Sequence, residues 1–286
     1  MSARKSLKSK LENISNLPTL PTVIDRITKL LQNPKTSAEE IGKAITTDQA
    51  LASKVLKLVN SAFYGFPGKI STITHAIVIL GFATVKNIVL TASIFDAFRG
   101  KGKNVTGFDL EQFWFHSIAC GAASQSIAKH IGSTEKEECF IAGLIHDIGK
   151  LIIYRNLPED FESLLKHSKD NSVLFYQSET ELFDITHQEA GGMLAEKWNL
   201  PKNLRNAVLY HHTPSQNRDY YLTTAIVHCA DIIVRAFDYG NGGDNRIPCI
   251  NENVWKNLGL DDTNLAALFE SIEDEIKKAT VFIQLT

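Results

Sequence analysis

Apolar residues recur at helical spacing along almost the whole chain. Leu17–Thr22 opens it as a stiff, extended entry, because Pro18 and Pro21 each disfavour helix for the residue before them. Pro21 then starts a helix to about Gln32, with Val23, Ile24, Ile27, Leu30 and Leu31 on one face, and Asn33-Pro34 stops it. Ser37 with Glu40 three residues on is a capping-box pattern, and the helix it starts turns Ile41, Ala44 and Ile45 inward. Thr47-Asp48 begins a third helix through Asn60, with Leu51, Val55, Leu58 and Val59 on its buried side. Ser61–Gly68 is a turn-rich aromatic loop. Ser71 or Thr72 caps a short helix over Ile73–Leu80, Gly81-Phe82 breaks it, and Ala83–Phe98 forms another. No alternating strand pattern occurs in this half.

The second half continues the helical pattern. A long helix runs from Asp109 to about Ile131, and its small residues allow close helix contact. An apolar stretch follows from about Thr134 to Tyr154, then a segment from Asn156 to Asp184 with one helix over Phe161–His167. Helices are predicted over Asp184–Trp198, Pro201–His212 and Tyr220–Phe237, followed by a Gly- and Asn-rich loop at Asp238–Arg246. Glu252 to Thr286 supplies two amphipathic helices, the longer over Leu265–Phe282. The expected architecture is all-α: an N-terminal tail (1–13), an N-terminal helical subdomain (14–98) packed on a helical bundle (105–286), and a basic loop at Arg99–Asn104 as the boundary.

At 286 residues with a net charge of −2, the chain has no global field pointing to nucleic acid or an anionic membrane. Its basic clusters are the N-terminal Arg4, Lys5, Lys8 and Lys10 and the Arg99–Lys103 loop, so a nucleic-acid-binding regulator is the weakest class. The longest apolar stretches are interrupted short of the ~20 residues of a spanning helix, and no signal-peptide core follows the basic start. Cys120, Cys139, Cys229 and Cys249 form no CxxC pair and read as reduced thiols of a cytoplasmic protein. No receiver, membrane or sensor segment is recognisable, so input is expected through a signalling partner.

The chemistry lies in polar groups set into apolar helices. Glu138–Lys150 is an apolar run ending on His146-Asp147, with Gly149 and Lys150 after them. Buried polar groups need partners. Either a hydrogen-bonded His–Asp pair or a divalent metal would satisfy these two. His116, His187, His211, His212 and Asp231 occupy similar positions on neighbouring helices, and a helical bundle can aim such groups at one interior point. His211-His212 also suits a helix C-terminus as a cation beside the dipole. Asp231, flanked by Ala230, Ile232 and Ile233, needs a metal or a basic partner. His228 lies on the same helix face and reads as a supporting or core histidine. Lys150, one turn from His146 and Asp147, can neutralise a phosphate, hold a carboxylate or snorkel to solvent. Two metals at a shared Asp can activate water and stabilise both oxygens of a phosphoryl displacement.

These residues resemble the H…HD…D pattern of the HD-domain metal-dependent phosphohydrolases, and His187 and His211-His212 resemble the extra histidines of the dinuclear HD-GYP branch. The resemblance implies one metal on His116, His146, Asp147 and Asp231, and a second on Asp147, His187, His211 and His212, with Asp147 bridging. Lys150 matches the Lys of HDxGK. Leu17–Pro21, Asp48–Leu51 through Leu58–Gly65, and Ile73–Gly81 resemble a narrower family, the HDOD domain, and the match runs from about residue 15 to 235. Thr213–Asp219 lacks the GYP loop of the cyclic di-GMP phosphodiesterases, and Gln112 stands where a trinuclear relative has Glu. Many HDOD domains have lost metal ligands and serve as output modules, whereas this chain keeps the dinuclear set.

The expectation is therefore an HDOD-type bacterial signalling protein holding two divalent transition metals, Fe or Mn first and Ni, Co, Zn or Mg as alternatives. It would hydrolyse a phosphodiester or nucleotide, with Lys150 and Asp147 in catalytic roles. The rival is a non-catalytic module that keeps metal as a structural or vestigial feature and binds a protein partner through its N-terminal helices or the Phe63–Phe66 loop.

Overall fold

The computed structural model describes residues 6–14, 17–33, 35–98, 105–217, 219–261 and 263–285. The Arg99–Asn104 boundary loop and the basic positions Arg4 and Lys5 lie outside them. Among the described residues the elements are helices, with no β-strand. The chain divides into two compact units: Pro18–Arg99 with Lys277–Thr286, and Met1–Leu17 with Gly100–Ile276. Both chain ends thus group differently from the expected 1–13, 14–98 and 105–286 division.

Short α1 (Lys8–Glu12) belongs to the larger unit, where Asp184 accepts hydrogen bonds from the Leu7 and Lys8 amides at 2.8 and 3.0 Å. The smaller unit comprises α2 (Thr22–Gln32), α3 (Ala38–Thr46), α4 (Gln49–Val59) and α5 (Ile73–Phe98). Ser37 and Glu40 form the capping box, and Asp48 Oδ1 accepts from the Leu51 amide at 3.0 Å to start α4. The Asn60 side chain pairs with both backbone groups of Ile70, which closes the aromatic loop between them. Thr72 Oγ1 caps α5, which breaks at Gly81 (φ 85°, ψ 163°), a conformation glycine alone adopts at little cost. By length and composition α5 could cross a membrane, yet half of its most apolar window is buried in the fold and Gly81 interrupts it. Phe282, in the 3₁₀ segment Thr280–Leu285, packs edge-on against Phe63 and brings the chain's last residues into this unit.

The larger unit continues with α6 (Leu110–His130), α7 (Lys136–Ile145), α8 (Ile148–Asn156), α9 (Pro158–Asn171), α10 (Phe175–Leu182), α11 (His187–Lys197), α12 (Lys202–Tyr210), α13 (Tyr221–Ala236), α14 (Glu252–Asn257) and α15 (Leu265–Ala279). Two differences from the sequence reading matter. Asn156–Asp184 holds two helices rather than one. The apolar stretch before Tyr154 is broken at His146-Asp147, so the dipeptide sits at the junction of α7 and α8. Glycines set the spacing around it. A Cβ on Gly143 would stand 2.6 Å from the Cys120 carbonyl oxygen of α6, and one on Gly149 would stand 1.8 Å from that of His187. Backbone therefore meets backbone on both sides of the dipeptide.

Candidate metal centre

Five structural segments bring the seven predicted residues together. His116 comes from α6, His146-Asp147 from the α7–α8 junction, His187 from the first turn of α11, His211-His212 from the end of α12, and Asp231 from α13. Six of them are buried, and His212 is half-buried and stacked on Tyr176, with ring centroids 4.4 Å apart. They form two groups with metal-ligand spacing: Asp147, His187, His211 and His212, and His116, His146 and Asp231.

Asp147 stands between the groups. Its Oδ1 is 3.2 Å from His187 Nε2 and 3.6 Å from His211 Nε2. Its Oδ2 is 3.3 Å from His146 Nε2 and 3.9 Å from His116 Nε2. Asp231 Oδ1 lies 3.2 Å from His116 Nε2 and 3.7 Å from His146 Nε2.

The outer ring nitrogens decide what the inner ones can be. His146 Nδ1 donates to the Gly143 carbonyl at 2.7 Å, His211 Nδ1 to the Val208 carbonyl at 2.9 Å, and His187 Nδ1 to Glu179 Oε2 at 2.7 Å. Each neutral ring then presents a bare Nε2 lone pair to the centre. His187 Nε2 and His211 Nε2 are 3.3 Å apart, both facing a carboxylate oxygen. Both ring nitrogens of His116, Nε2 of His146 and Oδ1 of Asp147 have no hydrogen-bond partner among the described residues. Acceptors converging on acceptors require a cation, and the donor set fits a divalent metal at each group.

Protonation is the other source of positive charge. Four buried carboxylates (Asp147, Glu179, Asp231, Asp244) face the side chains of Lys150 and Arg235. Burial works against charge on His146, but the Asp147 carboxylate outweighs it and raises the imidazole well above its usual range. Burial likewise opposes charge on His187, and Glu179 raises it. Burial pushes His211 down to about 4, and burial with the His211 and His187 charges holds His212 well below its usual value. Burial also lowers His116. Asp147 and Asp231 stay ionised. Burial raises both, but His146 and Lys150 pull Asp147 well down, and Arg235 does the same for Asp231.

Two supporting residues, Glu179 and Arg235, escaped the sequence reading. Glu179 is fully buried on α10 and takes both the backbone amide (2.9 Å) and Nδ1 of His187. It lies in the segment read as having one helix, and its only sequence signal is a carboxylate four residues from both Phe175 and Phe183, one helix before His187. Arg235, one turn after Asp231, donates to Asp231 Oδ1 at 2.9 Å and to Asp244 Oδ1 at 3.0 Å. It is the basic partner that Asp231 required. The i,i+4 spacing was the available signal. His228 donates to the His211 carbonyl at 2.8 Å and accepts from the Asn251 amide, a supporting place. The Cys139 and Cys229 thiols are inert, since burial pushes both up to about 12.

Lys150 does not snorkel. It is fully buried, and Nζ donates to Asp147 Oδ2 at 2.7 Å and to the Gly242 carbonyl at 2.8 Å, with the Phe175 ring 5.2 Å away. The loop after α13 thus reaches over the centre. A Cβ on Gly242 would stand 3.1 Å from Asp147 Oδ2 and 3.2 Å from the His116 ring. The same loop borders a cleft of about 620 Å³ lined in part by Lys166, Lys169 and Arg246 and by Glu162, Asp170 and Asp244.

Known proteins share this fold. An HDOD domain protein of unknown function from Geobacter sulfurreducens shares 26% identity at a TM-score of 0.80, with 96% of each chain covered. A Shewanella amazonensis protein provisionally named a phosphohydrolase has the same fold, with a TM-score of 0.74 at 24% identity over 99% of this chain and 98% of that one. An uncharacterized protein of Treponema pallidum (strain Nichols) is 26% identical over 236 residues, 82% of this chain. The chain spans about half of that relative's length (45%). The HDOD domain matches residues 17–214, which include every member of the two groups except Asp231. With most of its length matched and its fold shared, this chain belongs to the HDOD family.

Proposed function

We propose that the protein is a signalling protein with a dinuclear metal site that hydrolyses a phosphoester, a phosphodiester or nucleotide being the substrate class. One observation carries the reading: the Nε2 lone pairs of His187 and His211 converge on Asp147 Oδ1, an oxygen with no hydrogen-bond donor. His116, His146, Asp147 and Asp231 would hold one ion, and Asp147, His187, His211 and His212 the other. Imidazole and carboxylate donors without thiolate suit Fe or Mn, with Ni, Co, Zn or Mg as alternatives. When bound, such a pair supplies an activated water and Lewis acidity toward phosphoryl oxygens.

The chain's own groups do the rest. Glu179 and the Gly143 and Val208 carbonyls fix the ring tautomers, and burial keeps His211 and His212 neutral, the form a metal takes. Lys150 would supply a cation to a phosphate oxygen once the Gly242 carbonyl yields it. The cleft beside Lys166, Lys169 and Arg246 has the volume of a nucleotide-sized ligand site.

A second reading has an observation in its favour. Lys150 is wholly engaged by Asp147 and Gly242, and the ligand side chains other than His212 are buried. A closed centre of this kind suits a non-catalytic module that works through a protein partner. Metal analysis of the wild type and Asp147→Ala, followed by a phosphodiesterase screen of the metal-loaded protein, separates the two. Near two equivalents lost in the variant, with turnover, supports the enzyme. Metal without turnover supports the module. No metal after aerobic and anaerobic loading rejects the site.

A further inference from the structure

The two groups are unequal in charge, and Asp147 is the dividing line. Its Oδ1 faces His187 and His211, and its Oδ2 faces His146 and His116. Lys150 and Arg235 both act on the second side. Lys150 Nζ donates to Oδ2 itself at 2.7 Å. Arg235 Nε donates to Asp231 Oδ1, the same oxygen that stands 3.2 Å from His116 Nε2. On that side Asp244 pairs with Arg235 in turn at 3.0 Å, while on the first side Glu179 bonds His187 directly through its amide and Nδ1. A cation bonded to a ligand oxygen withdraws charge from it and repels an incoming metal, whereas a carboxylate on the far nitrogen makes an imidazole a stronger donor.

We propose that the two positions fill in order. A divalent cation binds tightly among Asp147, His187, His211 and His212, and a second binds weakly and reversibly among His116, His146 and Asp231. The protein is then mononuclear at low metal and dinuclear only at high metal, so metal supply sets whether the two-metal site exists. Glu179 and Arg235 are the positioning residues that hold the two affinities apart. This rests on the metal-binding reading above and adds the order of filling.

The test is a titration of the metal-free full chain with Mn²⁺, followed by the electron paramagnetic resonance of free Mn²⁺. Wild type is expected to take up two equivalents in two phases. His116→Ala should abolish the weak phase and keep the tight one, and His187→Ala should abolish the tight one. Glu179→Gln should weaken the tight phase about 10- to 100-fold while leaving the weak one in place. Arg235→Gln should strengthen the weak phase, and the two histidine variants decide the matter if that protein does not fold. A single phase of two equivalents, or loss of the tight phase in His116→Ala, overturns the order of filling and leaves metal binding intact. No uptake by wild type overturns both.

Discussion

In the smaller unit, Ile41, Ile45, Leu51, Val55, Leu58, Ile88 and Phe95 make an apolar core. Its buried polar side chains, among the described residues, are the hydroxyls of Thr84, Thr91 and Ser93. The larger unit buries His116, His146, Asp147, Lys150, Glu179, His187, His211 and Asp231 in its core. The smaller unit starts α3 and α4 with side-chain caps at Ser37 and Asp48, as the larger starts α6 and α11 at Asp109 and Thr186, whereas α7 and α8 begin without one and are held by backbone contact at Gly143 and Gly149. The contrast separates two ways of fixing a helix. Close backbone contact is needed where polar side chains must be held to a fraction of an ångström.

Glycine and lysine substitutions test this contrast with the largest effects. Gly149→Ala forces its Cβ into the His187 carbonyl, a backbone atom that cannot turn away, and should cost about 3 kcal/mol or abolish folding. Gly42→Ala in the smaller unit meets the Thr74 hydroxyl, a side-chain tip free to rotate, and should cost much less. Thermal melts of the two variants side by side check this, and equal costs would break the comparison. Lys150→Met removes one of the two positive partners that hold buried Asp147 ionised and should destabilise the metal-free protein by about 3 kcal/mol. Lys54→Met removes the partly exposed ion pair with Asp96 and should cost less than about 1 kcal/mol.

Acidity sharpens the comparison next. His146 and His187 are raised above the ordinary imidazole value, so in the metal-free chain the folded state holds their protons more tightly than the unfolded chain does, and protonation stabilises the fold. That stability is present below the unfolded value of about 6.5 and fades as pH rises through the raised values. Asp147 and Asp231, being depressed, add stability above about pH 3.9 that is lost only in stronger acid. Metal must displace the imidazole protons, so uptake should release protons and tighten as pH rises. Calorimetry in two buffers of different ionisation heat measures the release, and identical heats would refute it. Metal-free and metal-loaded protein should show opposite stability slopes above about pH 6.5.

Much of this was legible in the chain. Ser37 with Glu40, Asp48, and Gly81 are local signals, and each falls where the backbone starts or breaks a helix. His116, His146, Asp147, His187, His211, His212 and Asp231 stood out because an apolar helix has little reason to carry them, and they meet. Glu179 and Arg235 did not stand out, since a Glu or Arg on a helix is ordinarily a solvated residue, and only the fold shows which one is buried. The break at His146-Asp147 was hidden for another reason. It lies beside the close approach of α11 to α8 at Gly149, a long-range contact with no periodic signature in the α7–α8 stretch itself.

The smallest effect belongs to the cap. Ser37 Oγ accepts from the Glu40 amide at 3.2 Å, and Glu40 Oε2 accepts from the Ser37 amide at 2.8 Å. Ser37→Ala should cost about 1 kcal/mol at neutral pH, from the lost hydroxyl acceptor at the start of α3. The backbone hydrogen bond from Ser37 holds Glu40 below its usual carboxylate value, so the carboxylate's share of the box is present above the unfolded value and lost as pH falls through the depressed one. The reciprocal half of the box should therefore survive in Ser37→Ala, and Glu40→Gln in the same background should remove its acid sensitivity. Metal stoichiometry should stay at the wild-type value throughout, because Ser37 contributes only to the unit whose core holds no ionisable side chain among the described residues. A Ser37→Ala protein that melted normally yet lost metal would break the comparison, since the two kinds of helix anchoring would then depend on each other.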